Sequence, residues 1–277
     1  MMKVAFLVIM VILGLVFGSF ACCQMWRIYY KNNKKKELGK WSVCLECGHK
    51  LRWWENIPVI SWLILRGKCS KCGKKIGWVE ILSEIGLGVV FFTTGWYFYD
   101  KIDIAYGING FSFETIMVIL KMVVLLITIT LMWILLLYDI KWQEMPVGIL
   151  IAVNVFAVVF LGLRIVGGER VDFLGVIEAV GILAGLYYLL YFFSKEKFVG
   201  GGDWILCLAI AIILGNWFLA LVVLFLSNIL ASVFGIGAMI FLKKGRKSQI
   251  AFGPFLVIAF IITFVLQDLI LKLMIIV

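Results

Sequence analysis

The chain has 277 residues, is 64% hydrophobic with only three prolines, and carries a net charge of +10. No soluble domain has that composition, so the sequence reads as an all-α polytopic membrane protein. The charge is localised: residues 27–78 hold 13 Lys/Arg against three acids, and the rest of the chain is balanced. A basic stretch beside apolar runs is expected to be a cytoplasmic topology signal that also attracts anionic membrane lipid. Nucleic acid is not an expected partner, because no nucleic-acid motif accompanies the bases.

Taken in chain order, eight apolar segments are expected to be transmembrane helices: 4–26, 79–99, 115–138, 147–166, 173–193, 204–216, 217–242 and 251–271. The first follows Lys3 and continues past Cys22 and Cys23 to Trp26, which favours an uncleaved helix over a signal peptide. The stretch 204–242 is too long for one helix, and Gly215-Asn216-Trp217 supplies the break. The piece before the break is then short for a core of about 30 Å, which would draw its beginning into the membrane. Placing 27–78 inside puts 20 bases on that side and five on the other. This asymmetry predicts an outside N-terminus and cytoplasmic loops at residues 139–146, 194–203 and 243–250, whose bases include Lys197 and are part of the 20. Lys121 falls within a span and is expected to snorkel toward the outer interface. The expected division is 1–26 as first helix, 27–78 as a small cytoplasmic zinc-binding domain and 79–277 as the membrane core.

Between the first two spans lie Cys44-Leu45-Glu46-Cys47 and Cys69-Ser70-Lys71-Cys72, each followed by a glycine. Two such pairs, 21 residues apart in a lysine-rich loop, can set four thiolates tetrahedrally around one structural Zn²⁺. Disulfides or redox pairs are the alternative, which a cytoplasmic location disfavours. His49 is adjacent, but Cys44, Cys47, Cys69 and Cys72 already fill four positions. Residues 27–78 are too few for a core of their own, so the metal would supply the fold.

Two acids stand at the borders of apolar runs. Asp139 ends Met117–Tyr138, and Asp203 follows Gly200-Gly201-Gly202 and precedes Trp204–Leu214. A carboxylate at such a border is costly unless something uses it. Taken singly, Asp139 reads as a helix-end acid and Asp203 as a helix N-cap. Three glycines exceed what a cap requires; they permit positive φ and close approach of another backbone, such as an extended peptide. Two carboxylates sharing one proton can activate water for peptide hydrolysis. The expected chemistry is therefore that of an aspartyl protease within the membrane.

Gly-x-Gly-Asp at Gly200–Asp203, with the earlier Asp139 at a helix end, resembles the paired aspartates of the type IV prepilin peptidases. Gly18-Ser19-Phe20, Arg27, the two cysteine pairs and Leu51-Arg52-Trp53-Trp54-Glu55-Asn56-Ile57-Pro58 resemble the bifunctional leader peptidase and N-methyltransferase branch. Ala251-Phe252-Gly253-Pro254-Phe255 resembles that family's late Phe-Gly-Pro-Phe segment. The resemblance runs in order along nearly the whole chain. It implies Asp139 and Asp203 as catalytic residues, and Gly200 and Gly202 as the loop that a substrate approaches. It implies prepilin and pseudopilin substrates with a short basic leader, cut after a glycine at the cytoplasmic face of a bacterial inner membrane. It also implies S-adenosylmethionine as methyl donor for the new N-terminus, with Gly18, Arg27, Asn56 and Pro58 near the donor.

Three positions depart from the family pattern: Ala21-Cys22 after Gly-Ser-Phe, Ile205 two residues after the second aspartate, and Val147 after the loop proline. The first touches the methyl-transfer half; the other two leave both carboxylates in place. A transporter with a zinc-bound loop would also use intramembrane acids and glycine breaks. It would be expected to show an inverted repeat, and the hydropathy pattern has none. A thiol–disulfide protein is the other rival.

Overall fold

A computed structural model describes residues 2–33, 41–195, 199–241 and 251–276. The basic stretches 34–40 and 243–250 and Lys197, which entered the count of bases above, lie outside the described residues. Regular structure among the described residues is helical, apart from two isolated bridges, Val43–Lys50 and Lys68–Lys75. Among the described residues, six helices are long and apolar enough to cross a membrane: Met2–Asn32, Trp78–Gly107, Phe113–Trp142, Val147–Val166, Phe173–Ser194 and Trp217–Ile240. A pair, Gly253–Val265 and Gln267–Met274, makes a seventh if it counts as one span, but it bends by 71°. Six or seven of the expected eight spans are thus found among the described residues, and the eighth is not confirmed. The remaining segment is the helix Gly201–Leu214, whose 14 residues rise only about 21 Å.

The chain divides into two compact units, Met1–Asp100 and Lys101–Val277. In the first, α1 (Met2–Asn32) lies antiparallel to the start of α3 (Trp78–Asn109). Lys3 pairs with Asp100 at 2.7 Å at one end, and Ser83 Oγ donates to the Gly18 carbonyl at 3.1 Å toward the other. Small residues allow this close contact. A Cβ on Gly14 would fall 2.6 Å from the Leu87 oxygen, and one on Gly18 would fall 2.6 Å from Glu84 Cα. Side chains would push the backbones apart, so the glycines set the interhelical distance. The loop between these helices carries the cysteine pairs and the short helix α2 (Ile60–Ile64).

The second unit contains α4 (Phe113–Trp142), α5 (Val147–Val166), α6 (Phe173–Ser194, with a π-type turn at Gly181–Gly185), α7 (Gly201–Leu214), α8 (Trp217–Phe241), α9 (Gly253–Val265) and α10 (Gln267–Ile276). Helix α7 is the central element: α5, α6 and α9 pack on it, and its residues from Leu206 to Leu214 are mostly buried. Gly215 takes a left-handed conformation, and Asn216 Oδ1 accepts from the Phe218 and Leu219 amides, opening α8. The break expected at Gly215-Asn216-Trp217 is thus a C-cap followed by an N-cap. Lys121 does not reach open water: it is buried, and its ammonium ends on Glu169, which also accepts from Arg164 Nε at 2.8 Å.

Candidate active site

Asp139 sits in the last turn of α4, which Gln143 closes in a left-handed conformation with its amide on the Asp139 carbonyl. The loop Gln143–Pro146 follows and carries Met145. The Asp139 side chain is buried, and its Oδ2 accepts the Gly253 amide at 2.9 Å. That amide belongs to the first residue of α9, so the carboxylate faces the positive end of a helix.

Asp203 lies in the first turn of α7 and is equally buried. It is not the N-cap; Gly200 is. Asp203 Oδ2 reaches back to accept the Gly200 amide at 3.1 Å, as the third helical residue does in a capping box. None of the three glycines adopts positive φ. Their small size serves close approach instead. A Cβ on Gly202 would lie 2.8 Å from Met145 Cβ, and one on Gly201 3.3 Å from the Tyr191 ring.

The structure gathers these pieces around Met145, which contacts Gly202 beside Asp203 and whose methyl group lies where a Gly253 Cβ would be, 2.3 Å away. Met145 thus bridges Gly253, whose amide holds Asp139, and Gly202, which precedes Asp203. Asn154 on α5 donates to the Ile205 carbonyl at 3.1 Å and so ties the start of α7 to its neighbour. Ile205 therefore contributes through its backbone at the position where the sequence departs from the family pattern. Gly253 and Met145 were not singled out as site residues from the sequence. For Gly253 the available signals were the Gly-Pro step that opens a helix and its place in the Phe-Gly-Pro-Phe segment.

In the first unit, the four cysteine sulfurs lie within 4.8 Å of one another, and among the described residues no other cluster of this kind forms. Tetrahedral zinc with Zn–S of about 2.3 Å spaces its sulfurs about 3.8 Å apart. Cys44 Sγ and Cys72 Sγ are 3.9 Å apart, so the residues fit a metal of this type. Both pairs fold alike. The Cys44 amide donates to His49 O and the Gly48 amide to Cys44 O; the Cys69 amide donates to Lys74 O and the Gly73 amide to Cys69 O. Gly48 and Gly73 both have φ of 69°, a conformation that side chains rarely adopt. The amides of Cys72 and Lys71 lower the Cys69 thiol to about 6, while at Cys72 the Lys74 amide is outweighed by burial and the neighbouring sulfurs, which push that thiol up to about 11. Without an ion the four sulfurs therefore share protons rather than all ionising. His49 is outside this cluster; its Nε2 lies 3.3 Å from Glu55 Oε2.

The residues linked by resemblance to methyl transfer are dispersed within this unit. Gly18 is a packing glycine against α3, and Arg27 is half-buried on α1. Asn56 is exposed at the end of the turn Trp53–Asn56, and Pro58 follows it. The next residue, Val59, has φ 62° and ψ −51°, and the Ile60 amide donates to Pro58 O at 2.6 Å. That is a γ-turn of the strained kind, centred on a β-branched residue. The Val59 amide is held by Glu84 Oε2 at 2.7 Å, and Ser19 also bonds to Glu84. Glu84 therefore joins the Gly18-Ser19-Phe20 stretch to the Asn56–Val59 turn. No motif in the sequence pointed to it.

Two family models match the chain: the bacterial peptidase A24 N-terminal domain over residues 12–98, and the type IV leader peptidase family over residues 126–236. Curated relatives match across most of their length. One, from Dichelobacter nodosus, is 30% identical over 231 residues, covering 80% of this chain and 70% of its own. Another, from Vibrio cholerae serotype O1, is 26% identical over 270 residues, covering 95% and 98%. A third, from Pseudomonas aeruginosa, is 25% identical and covers 92% and 88%. All three are named prepilin leader peptidase/N-methyltransferase. No solved structure matches.

Proposed function

This chain belongs to the type IV leader peptidase family, and from that premise we propose that it cleaves the leader from type IV prepilins or pseudopilins with Asp139 and Asp203 as its catalytic pair. The observation that carries the reading is that two buried carboxylates each accept an amide at the start of a helix, Asp139 from Gly253 and Asp203 from Gly200, with Met145 packed against both Gly253 and Gly202. One carboxylate, ionised, takes a proton from the attacking water. The other, protonated, polarises the scissile carbonyl and then returns a proton to the leaving amine. The pair titrates as a unit, so neither role belongs to one residue alone. Each aspartate has one oxygen fixed by a backbone amide, Gly253 or Gly200, which orients the carboxyl groups before substrate arrives.

The same reading places residues 27–78, with zinc on its four cysteines, and both aspartates on the cytoplasmic side of a bacterial inner membrane. The excess of bases in 27–78 supports this orientation. Zinc there is structural, since four protein ligands leave no open position. The relatives' name supports a second activity, methyl transfer from S-adenosylmethionine to the new N-terminus, assigned to the first unit with Gly18, Arg27, Asn56 and Pro58. Two aspartates cannot supply a methyl group, so the two reactions need separate surfaces. The family displaces both the transporter and the thiol–disulfide readings. Mass spectrometry of a prepilin incubated with the purified chain and methyl donor tests the proposal. The expected product is a mature pilin cut after its leader glycine, heavier by one methyl group. An uncut prepilin refutes the peptidase reading, and a cut but unmethylated product refutes the second activity.

A further inference from the structure

We propose that Glu55 is the positioning residue of the metal centre: its buried carboxylate braces the two cysteine knuckles against each other, so that the four sulfurs are gathered before the ion binds. The inference rests on the reading of the four cysteines as a metal site.

Glu55 lies between the knuckles in sequence, on the turn Trp53–Asn56, and its side chain is 1% exposed. A buried carboxylate is tolerated only where its oxygens are satisfied. Here Oε2 accepts the Arg52 amide at 2.6 Å and contacts His49 Nε2 at 3.3 Å, while Oε1 accepts the Ser70 hydroxyl. The two partners come from different knuckles. His49 directly follows Gly48, and its carbonyl accepts the Cys44 amide. Ser70 lies between Cys69 and Cys72. One oxygen therefore holds the first knuckle and the other holds the second. These bonds, with the Arg52 amide foremost, keep the Glu55 carboxyl below the usual carboxylate range, as befits a group that acts as a double acceptor.

This geometry separates Glu55 from its neighbours in the Leu51–Pro58 segment. Asn56 is exposed, whereas both Glu55 oxygens are engaged within the knuckle unit. Glu55 contacts no sulfur and so is not a ligand; it acts through His49 and Ser70. Groups that orient ligands in this way typically change metal affinity by about 10- to 100-fold when removed.

The test is zinc affinity of the full-length protein in detergent, measured by competition with a chromophoric chelator. Glu55→Gln keeps the size and hydrogen-bonding reach of the side chain but removes the charge that holds two oxygens as acceptors. Its expected effect is a loss of about 10- to 100-fold in zinc affinity. Ser70→Ala should give a smaller loss, and the double variant should bind about as weakly as Glu55→Gln alone. Cobalt supplies the readout that a general folding defect would not leave intact. At saturating Co²⁺, the absorption of a tetrahedral thiolate site should be the same in wild type and variants. Unchanged zinc affinity in Glu55→Gln overturns the proposal. So does a lost or altered cobalt spectrum at saturation, because Glu55 would then be a ligand or a general folding residue. A wild-type protein that binds no zinc overturns the metal reading itself, and is distinguished by needing no variant to reveal it.

Discussion

The Gly253 amide donates to Asp139 Oδ2 at 2.9 Å, joining residues 114 apart in the chain. The bond brings the N-terminus of α9 against the end of α4, and it explains why a glycine stands there. A Cβ at Gly253 would lie 2.8 Å from that carboxylate oxygen and 2.3 Å from Met145 Cε. The methionine tip can swing away; under the proposed mechanism the carboxylate cannot move without loss of activity. Gly253→Ala is therefore expected to lower prepilin cleavage by about 10²-fold while the protein remains folded. Initial rates at saturating substrate, beside far-ultraviolet circular dichroism, check this.

The knuckle geometry predicts that purified protein carries one zinc, and that Cys44→Ser or Cys72→Ser loses it. Because residues 41–77 have little apolar core, metal loss should open the segment to protease. Elemental analysis and limited proteolysis measure the two effects. Acid should release the metal as well, since thiolates must stay deprotonated to bind it.

The two proposed activities should separate by mutation. Asn56→Ala, at the exposed end of the turn that leads into the strained Val59, is expected to reduce methylation several-fold more than cleavage. Mass spectrometry of pilin processed by this variant reports both yields from one sample. Equal losses would mean that the turn supports the fold as a whole.

Glu169 gives a pH-dependent prediction. Burial raises its pKa, but Lys121 and Arg164 more than offset this and leave it lowered overall. A depressed folded pKa stabilises above the unfolded value, about 4.3, and that stability is lost as pH falls through the folded value. Glu169→Gln leaves the buried Lys121 without its counter-charge. The expected cost is about 1–2 kcal/mol at pH 7, less than for a fully buried pair because the Glu169 side chain is 41% exposed. Thermal melts of both proteins should converge as pH drops below about 4.

Much of this architecture was legible in the sequence because it is written in local patterns. Apolar runs gave the long helices, Gly215-Asn216 gave the break, and the C-x-x-C spacing gave the four-sulfur cluster. The count of eight spans is not confirmed at two places. Gly201–Leu214 is too short to cross by itself, and the last apolar segment bends by 71° near Leu266. The Gly200–Gly202 run suggests positive φ, but none occurs; Tyr191 packs on Gly201 and Met145 on Gly202, where small residues are needed. Glu84 and Met145 were invisible as site residues, and Gly253 showed only as part of the Phe-Gly-Pro-Phe segment, because their roles depend on partners far away in sequence. Single-residue chemistry cannot reveal a glycine amide aimed at a carboxylate 114 residues earlier.

In the proposed reaction Asp139 and Asp203 together hydrolyse the peptide bond. The most direct measurement is prepilin cleavage in detergent by Asp139→Asn and Asp203→Asn, each shown to be folded and zinc-loaded. Asparagine keeps size and still accepts the Gly253 or Gly200 amide, but it cannot exchange the proton that the reaction needs. Each variant is predicted to lose cleavage by at least about 10³-fold, with methylation of a pre-cleaved pilin retained. Substantial cleavage by either folded variant would contradict the two-aspartate account.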